Sequence, residues 1–127
     1  MDKIRNFTDL IAWQEARRLF KMTYEVTISF PKEELYVLVS QMRCCVLSVT
    51  SNIAEGFGRP SSRDKIRFYS IAQGSLVELQ NQLIASKDLG YLNDNAYQEL
   101  ELIAVRVNKL ISGLIKSSPK LSKHTKY

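Results

Sequence analysis

Histidine is almost absent from the sequence: of its 127 residues only His124, near the C-terminal end, is one. A Ser-His-Asp or Cys-His catalytic site within a folded core is therefore excluded. The Glu-x-x-His pairs of di-metal helical bundles are also missing. Glu55 and Glu78 could form an acid/base pair, but the pattern favours ion-pairing roles on a helix surface or at an interface. We predict a protein that is not an enzyme, with no catalytic residues, no metal site and no cofactor.

Cysteine is scarce as well, and the two that occur, Cys44 and Cys45, are adjacent. A disulfide between neighbours in a helical pattern would be strained, and a second cysteine pair for zinc is missing. We interpret them as free thiols in a reducing cytoplasm, with Cys45 in the core and Cys44 on the surface. Because no apolar run approaches the roughly 20 residues that span a bilayer, we expect a cytoplasmic protein with no membrane partner.

Glycine and proline are few, and apolar residues recur at helical spacing along most of the chain. The spacing predicts four helices, at about residues 9–29, 32–57, 62–89 and from 94 onward. Pro31 ends the first, Gly90 ends the third and Asn93 caps the fourth. Since short connections force neighbouring helices to be antiparallel, we predict an all-α, up-down-up-down four-helix bundle. It spans residues 1–115 and is followed by a basic tail, 116–127, which we expect to be flexible.

Acidic residues are absent after Glu101, and basic residues continue to the C-terminus. In the predicted bundle the start of the first helix, the second turn and the tail share one end, which holds ten basic and four acidic residues, a local excess of +6 in a chain of net charge +5. A bundle polarised in this way suits a polyanion such as RNA or DNA. The alternative is a solvated surface with a solubility tail. The candidate nucleic-acid-binding residues are Arg59, Arg63, Lys65, Arg67, Lys116, Lys120, Lys123 and Lys126.

The second and third helices carry apolar residues beyond those that a bundle core needs. Helices that are apolar on two sides are normally buried on two sides, so these stripes predict a homo-oligomer interface. The alternative is that they fill the edges of a monomer core. The residues are Tyr36, Leu47 and Ala54 on the second helix and Ile66, Val77 and Ile84 on the third.

The stretch "NIAEGFGRPSSRD", residues 52–64, joins these two helices. We expect Gly56 and Gly58 to take positive φ and end the second helix, and Ser61 or Ser62 to cap the third. It is not a Walker phosphate loop, because no strand precedes it and no Walker lysine follows. Outside this stretch, Trp13 is interpreted as a residue that packs in the core. For Phe57 the pattern leaves two alternatives, a side chain that fills the end of the core or an exposed ring.

Several segments together resemble the bacterial four helix bundle protein family, first noticed as products of intervening sequences in large-subunit (23S) ribosomal RNA genes. The resemblance covers nearly the whole chain, from "FTDLIAWQEA" onward. Its most specific pieces are "FP" at Phe30 and Pro31, "SNIAEGFGR" at Ser51–Arg59 and "IAQGSLVEL" at Ile71–Leu79. In "QMRCC" the chain departs from the family pattern, because Cys44 replaces the second of two successive basic residues.

The resemblance implies a short antiparallel bundle that assembles as a homopentamer arranged as a ring or barrel. A distantly related group serves as accessory subunits of reverse transcriptases in diversity-generating retroelements, where a basic pentamer binds nucleic acid. The substitution by Cys44 puts in doubt any role of that second basic residue. Two hypotheses follow: a homo-oligomer that binds nucleic acid without sequence specificity, or an interaction scaffold and accessory subunit for a nucleic-acid enzyme.

Overall fold

The computed structural model describes residues 3–118 and consists of helices joined by short turns. Its four α-helices are α1 (Ile11–Thr27), α2 (Ser40–Gly58), α3 (Ser62–Asp88) and α4 (Asp94–Lys116). A 3-10 turn, Phe7–Asp9, precedes α1, and a 3-10 turn followed by a π-helical turn, Lys32–Glu34 and Leu35–Val39, leads into α2. Within residues 3–118 there is no strand. The predicted all-α class is confirmed.

Local side-chain chemistry explains most of the helix ends. Ser61 Oγ accepts a hydrogen bond from the Asp64 N–H (3.1 Å), and Asn93 Oδ1 accepts one from the Ala96 N–H (2.8 Å). Both satisfy backbone donors that a helix start leaves unpaired. After α3, Gly90 takes the left-handed conformation with φ 81°. These ends agree with the sequence-based predictions.

The end of α2 is different from the prediction. Neither Gly56 nor Gly58 has a positive φ, a conformation that Gly90 alone adopts within residues 3–118. The helix ends instead because Arg59, which precedes Pro60, is extended with φ −77° and ψ 140°. Gly56 has a packing role, since a Cβ added there would lie 2.7 Å from Cε1 of Tyr69. The absence of a side chain at Gly56 lets α2 and α3 approach closely.

Side-chain bonds join each helix to the next in chain order and join α4 back to α1. Residue numbers along two bonded helices run in opposite directions, as an antiparallel bundle requires: Arg43 near the start of α2 bonds Thr27 at the end of α1, and Gln73 in the first half of α3 bonds Ser112 near the end of α4. The bonds are Arg43–Thr27 (3.0 Å), Ser48–Ser75 (2.8 Å), Gln73–Ser112 (2.9 Å) and Arg106–Glu15 (3.3 Å). Consequently α1 lies diagonally across from α3, and α2 from α4.

The core runs along the inner faces of all four helices. Its largest fully buried apolar side chains are Leu19, Met42, Ile53, Leu76, Leu79, Leu83, Leu100 and Ile111. Seven of these eight lie on α2, α3 and α4, and Leu19 lies on α1. Trp13 and Phe57 are partly buried against the core, and the Trp13 ring packs edge-on against Phe7 with centroids 5.3 Å apart.

One segment, Lys32–Gly58, is long and apolar enough to cross a membrane by length and composition. This is weak support for a span, because the core helix of a soluble protein passes the same test. Here the segment supplies core residues such as Met42, Val46 and Val49, which are fully buried among the other helices. Its apolar character is accounted for in part by that burial.

We predict that Gly56→Ala destabilises the fold by about 1–3 kcal/mol, because the added methyl group would overlap the Tyr69 ring. Gly74→Ala is the matched control, since a Cβ there meets nothing within 4 Å. Alanine is the better helix former, so the control should gain up to about 1 kcal/mol. Urea denaturation followed by circular dichroism measures both. A neutral effect of Gly56→Ala would contradict the close approach.

Alkaline pH should weaken the fold through Tyr69. Burial raises the pKa of the Tyr69 phenol from 10.0, so the folded chain holds this proton more tightly than the unfolded chain. Its stabilising contribution is complete below about pH 10 and is lost as the pH rises through the folded-state pKa. We expect the unfolding free energy of Tyr69→Phe to fall less steeply above about pH 10 than that of the wild type. Identical slopes in urea titrations would contradict this.

Candidate nucleic-acid interface

Two of the predicted arginines meet at one aromatic ring where α3 begins. The guanidinium carbons of Arg59 and Arg67 each lie 4.6 Å from the centroid of Phe68. The Arg59 Nη2 atom is 2.6 Å from Glu55 Oε2, and the Arg67 Nη2 atom is 3.7 Å from Asp64 Oδ1. The ring and the carboxylates hold both guanidinium groups in place at the surface. Each group has further N–H donors through which it can bind a phosphate.

The other two predicted cations of this turn, Arg63 and Lys65, have different environments. Arg63 is exposed and forms no ion pair or side-chain hydrogen bond with residues 3–118. Lys65 Nζ donates to the backbone carbonyls of Phe57 (2.6 Å) and Gly56 (3.4 Å). Those carbonyls belong to the C-terminal turn of α2, where a cation is favoured by the helix dipole. Lys65 therefore stabilises the end of α2, while Arg63 is available to a ligand.

Phe68 was missed by the sequence analysis. Its partner Arg59 precedes α3, nine residues earlier in the chain and beyond a proline. Sequence spacing relates residues within one helix, so it gave no reason to connect a ring on α3 with an arginine that follows α2. The arrangement required the close packing of the two helices.

The remaining predicted cations belong to the C-terminal end. Lys116 is the last residue of α4 and is exposed. Because the helices alternate in direction, the end of α4 lies at the same end of the bundle as the turn between α2 and α3. Lys120, Lys123 and Lys126 lie outside the described residues.

The predicted oligomer interface is largely exposed on the isolated chain. Four of its side chains have large exposed fractions: Tyr36 88%, Val77 61%, Leu47 48% and Ile84 47%. Ala54 and Ile66 are half-buried. Tyr36 and Leu47 lie beside Tyr24 in an open groove of about 310 Å³ between α1 and α2. The core of one copy therefore leaves the apolar stripes of α2 and α3 largely exposed.

Arg43 lies in the same groove, but it is engaged within the chain. Its Nε atom donates to Thr27 Oγ1 (3.0 Å), and its guanidinium carbon lies 4.4 Å from the Tyr24 ring centroid. The neighbouring Cys44 is exposed and Cys45 is buried, as the helical pattern predicted. Burial raises the pKa of the Cys45 thiol, which donates to Glu78 Oε1 at 3.7 Å. The two thiols therefore differ in accessibility although they are adjacent.

The acidic residues singled out by the sequence, Glu55 and Glu78, have separate partners in the structure. Among residues 3–118, no group of three or more His, Cys, Asp or Glu side chains could hold a metal ion. Glu55 pairs with Arg59, whereas Glu78 accepts from Cys45 farther along the bundle. The two carboxylates do not form a pair with each other.

These features define a small antiparallel four-helix bundle with an arginine-rich end. The chain belongs to the family described as 23S rRNA-intervening sequence protein, whose sequence pattern it matches over residues 8–113. A search of curated proteins finds no match. Among solved structures, the chain is similar to a protein of unknown function from the S23 ribosomal protein family of Bacteroides thetaiotaomicron. The two are 19% identical with a TM-score of 0.76, over 84% of this chain and 96% of the other, which shows a shared fold.

The different environments of Lys65 and Arg63 predict different effects on stability. Lys65→Met keeps the apolar stem but removes the donor to the Phe57 and Gly56 carbonyls, so we expect a loss of about 1 kcal/mol. Arg63→Met should change the unfolding free energy by less than about 0.5 kcal/mol, as for most exposed positions. Thermal and urea denaturation of the two variants provides the comparison. Equal effects would show that Lys65 does not cap α2.

Proposed function

We propose that this protein is a non-enzymatic, cytoplasmic homo-oligomer that binds structured RNA or DNA through its basic end. The observation that carries the proposal is the pair of guanidinium groups that lie over the Phe68 ring, next to the exposed Arg63. Contact with the ring restrains both groups in advance, which reduces the entropy lost when they bind phosphate. The unpaired N–H groups at the start of α3 add favourable potential for an anion.

The proposed binding is directed to phosphates and does not distinguish sequences. Glu55 and Asp64 partly offset the arginine charges, so the turn contributes donors in a fixed arrangement more than it contributes net charge. Lys116 supplies further positive charge at the same end, and the sequence continues after it with Lys120, Lys123 and Lys126. No base-reading motif occurs in the sequence, and contacts to phosphate carry no sequence information. The family name links its members to 23S rRNA, which makes structured RNA the first ligand to test.

Self-association would increase the strength of such binding. Each copy contributes one basic end, and several ends on one assembly act with an increased effective concentration. The exposed stripes at Tyr36, Leu47, Val77 and Ile84 support assembly, because contiguous exposed apolar surface is typical of interfaces. A homopentamer is the state that the family resemblance implies.

An interaction scaffold, such as an accessory subunit of a reverse transcriptase or another nucleic-acid enzyme, is the second candidate. A groove of about 500 Å³ on the α1/α4 side favours it. Its lining combines the exposed Leu102 with Glu99 and the cations Arg18, Arg106 and Lys109, and both arginines also pair with Glu15 at 3.3 Å. Such a mixture of apolar and charged groups suits a protein partner. In this case nucleic acid binding by the protein alone would be no stronger than its charge predicts.

The binding site is tested by replacing Arg59, Arg63 and Arg67 together with glutamine. We expect weaker binding to a labelled RNA duplex and a labelled DNA duplex, together with a smaller salt dependence. The slope of log K against log salt should fall by about 1 for each arginine that contacts a phosphate. Fluorescence anisotropy across a salt series measures both quantities.

The matched control replaces Lys21, Lys32 and Lys87 with glutamine, which changes the net charge equally away from the basic end. Its affinity should remain close to that of the wild type. Truncation after Lys116 measures the part due to the tail separately. If the arginine variant and the lysine control bind equally well, binding is a general effect of charge and the proposed site is wrong.

A further inference from the structure

The groove of about 500 Å³ on the α1/α4 side contains apolar surface that the bundle core does not use. Its α4 wall presents Leu102 (71% exposed) and Val105 (38% exposed) to solvent, and the half-buried Leu110 lies in the same lining. Leu102 is about 200° around the helix from the fully buried Leu100, so it points away from the core. We name this surface, defined by its lining residues Arg18, Leu102, Val105, Arg106 and Lys109, the α1/α4 groove.

The α1/α4 groove has a surplus of positive charge. Arg18 Nη1 and Arg106 Nε each lie 3.3 Å from the same atom, Glu15 Oε1, so one carboxylate serves two guanidinium groups. Lys109 has no carboxylate within ion-pair distance among residues 3–118. Glu99 also belongs to the lining, ten residues before Lys109 on α4. The charge therefore becomes more positive toward the Lys109 end of the groove.

A smaller groove of about 220 Å³ adjoins the first at Arg18. Its lining adds the cations Arg17 and Lys21, and within residues 3–118 none of its lining residues is acidic. Glu25 is exposed one turn after Lys21 and lies outside both linings. Even when Glu25 is counted with the two carboxylates named above, five cations face three carboxylates on this side of the bundle. An acidic partner is therefore favoured.

Charge disfavours the occupants that this chain itself could provide. The segment after Lys116 contains Lys120, Lys123 and Lys126 and no acidic residue, so it would bring like charge to the groove. In a two-fold contact the same surface of each copy meets itself, which would place the cations of two copies opposite each other. The occupant that fits is a different protein with acidic groups.

Shape and apolar content favour a helix as the occupant over a nucleic acid. An amphipathic helix lays its apolar side chains, at positions i, i+3, i+4 and i+7, into a hydrophobic groove. From Glu99 to Lys109 α4 rises about 15 Å, which is about three turns of such a helix. Interfaces with nucleic acid are more polar, and a phosphate backbone would gain little from contact with Leu102. A partner helix would bury Leu102 and Val105.

We propose that the α1/α4 groove binds an amphipathic, acidic helix of a partner protein. Its apolar side chains pack on Leu102 and Val105, and its carboxylates lie beside Arg18 and Lys109. The proposal rests on the interaction scaffold given above as the second candidate function and does not depend on nucleic-acid binding. Because the groove is on the side of the bundle, the partner leaves the basic end free for phosphate.

Designed peptides test this proposal on the full-length protein. The first is a fluorescein-labelled amphipathic helix of about three to four turns, with leucine at i, i+3, i+4 and i+7 and glutamate beside them. The second has the same composition in an order that removes the apolar face, and the third has lysine in place of every glutamate. We expect fluorescence anisotropy to show that the first peptide binds at least about tenfold more tightly than either comparison.

Two variants of the groove should change this binding in different ways. Leu102→Gln should weaken binding of the first peptide about tenfold, as expected for the centre of an interface. Lys109→Glu should reduce the preference for the glutamate peptide over the lysine peptide. Ile28→Gln is the matched control, because Ile28 is 77% exposed, comparable to Leu102, and lies outside both grooves. Its affinity should equal that of the wild type, and circular dichroism checks that all three variants fold.

The proposal is overturned if the first peptide binds no more tightly than its scrambled form, or if Leu102→Gln and Ile28→Gln have equal effects. It is also wrong if an RNA duplex displaces the peptide and Leu102→Gln weakens duplex binding equally, since the groove would then be a nucleic-acid surface. The variant with glutamine at Arg59, Arg63 and Arg67 separates the two sites. It should bind the first peptide as the wild type does, so failure at the basic end leaves the groove in place, and the reverse holds for Leu102→Gln.

Discussion

The close approach of α2 and α3 at Gly56 is the contact on which the basic end depends. The Tyr69 ring occupies the space that a side chain at Gly56 would take. At this spacing Lys65 reaches the last carbonyls of α2. The same spacing lets Arg59 extend from the turn to the Phe68 ring. The arginine arrangement is therefore a product of helix packing, and the composition of the turn would not produce it alone.

The sequence predicted the four helices, their order and most of their ends, because periodicity and caps are local properties. Asn93, Ser61 and Gly90 act within a few residues of their own positions, so no knowledge of tertiary structure was needed. The wrong prediction, positive φ at Gly56 and Gly58, assigned to local conformation what is a contact between two helices. The π-helical turn at Leu35–Val39 also had no local indication.

The candidate site was only partly predictable from the sequence. Alternation of helix direction places Lys116 at the same end of the bundle as the turn that carries Arg59, Arg63 and Arg67. The sequence could not show that Lys65 binds carbonyls, or that Arg59 and Arg67 share Phe68, since these contacts join residues of different elements. Similarly, helical spacing identified the apolar stripes on α2 and α3. Where these stripes lie around the bundle depends on the order of the helices around the core. The sequence of a single helix does not determine that order.

The packing of Trp13 against Phe7 has a practical consequence for spectroscopy. Trp13 is the single tryptophan in the sequence and lies in the first turn of α1, at the same end as the arginines. Its ring is partly buried against Phe7, and the Arg17 guanidinium carbon lies 5.7 Å from its centroid. Fluorescence excited selectively from tryptophan thus comes from one known position. The chain carries its own optical reporter at its basic end.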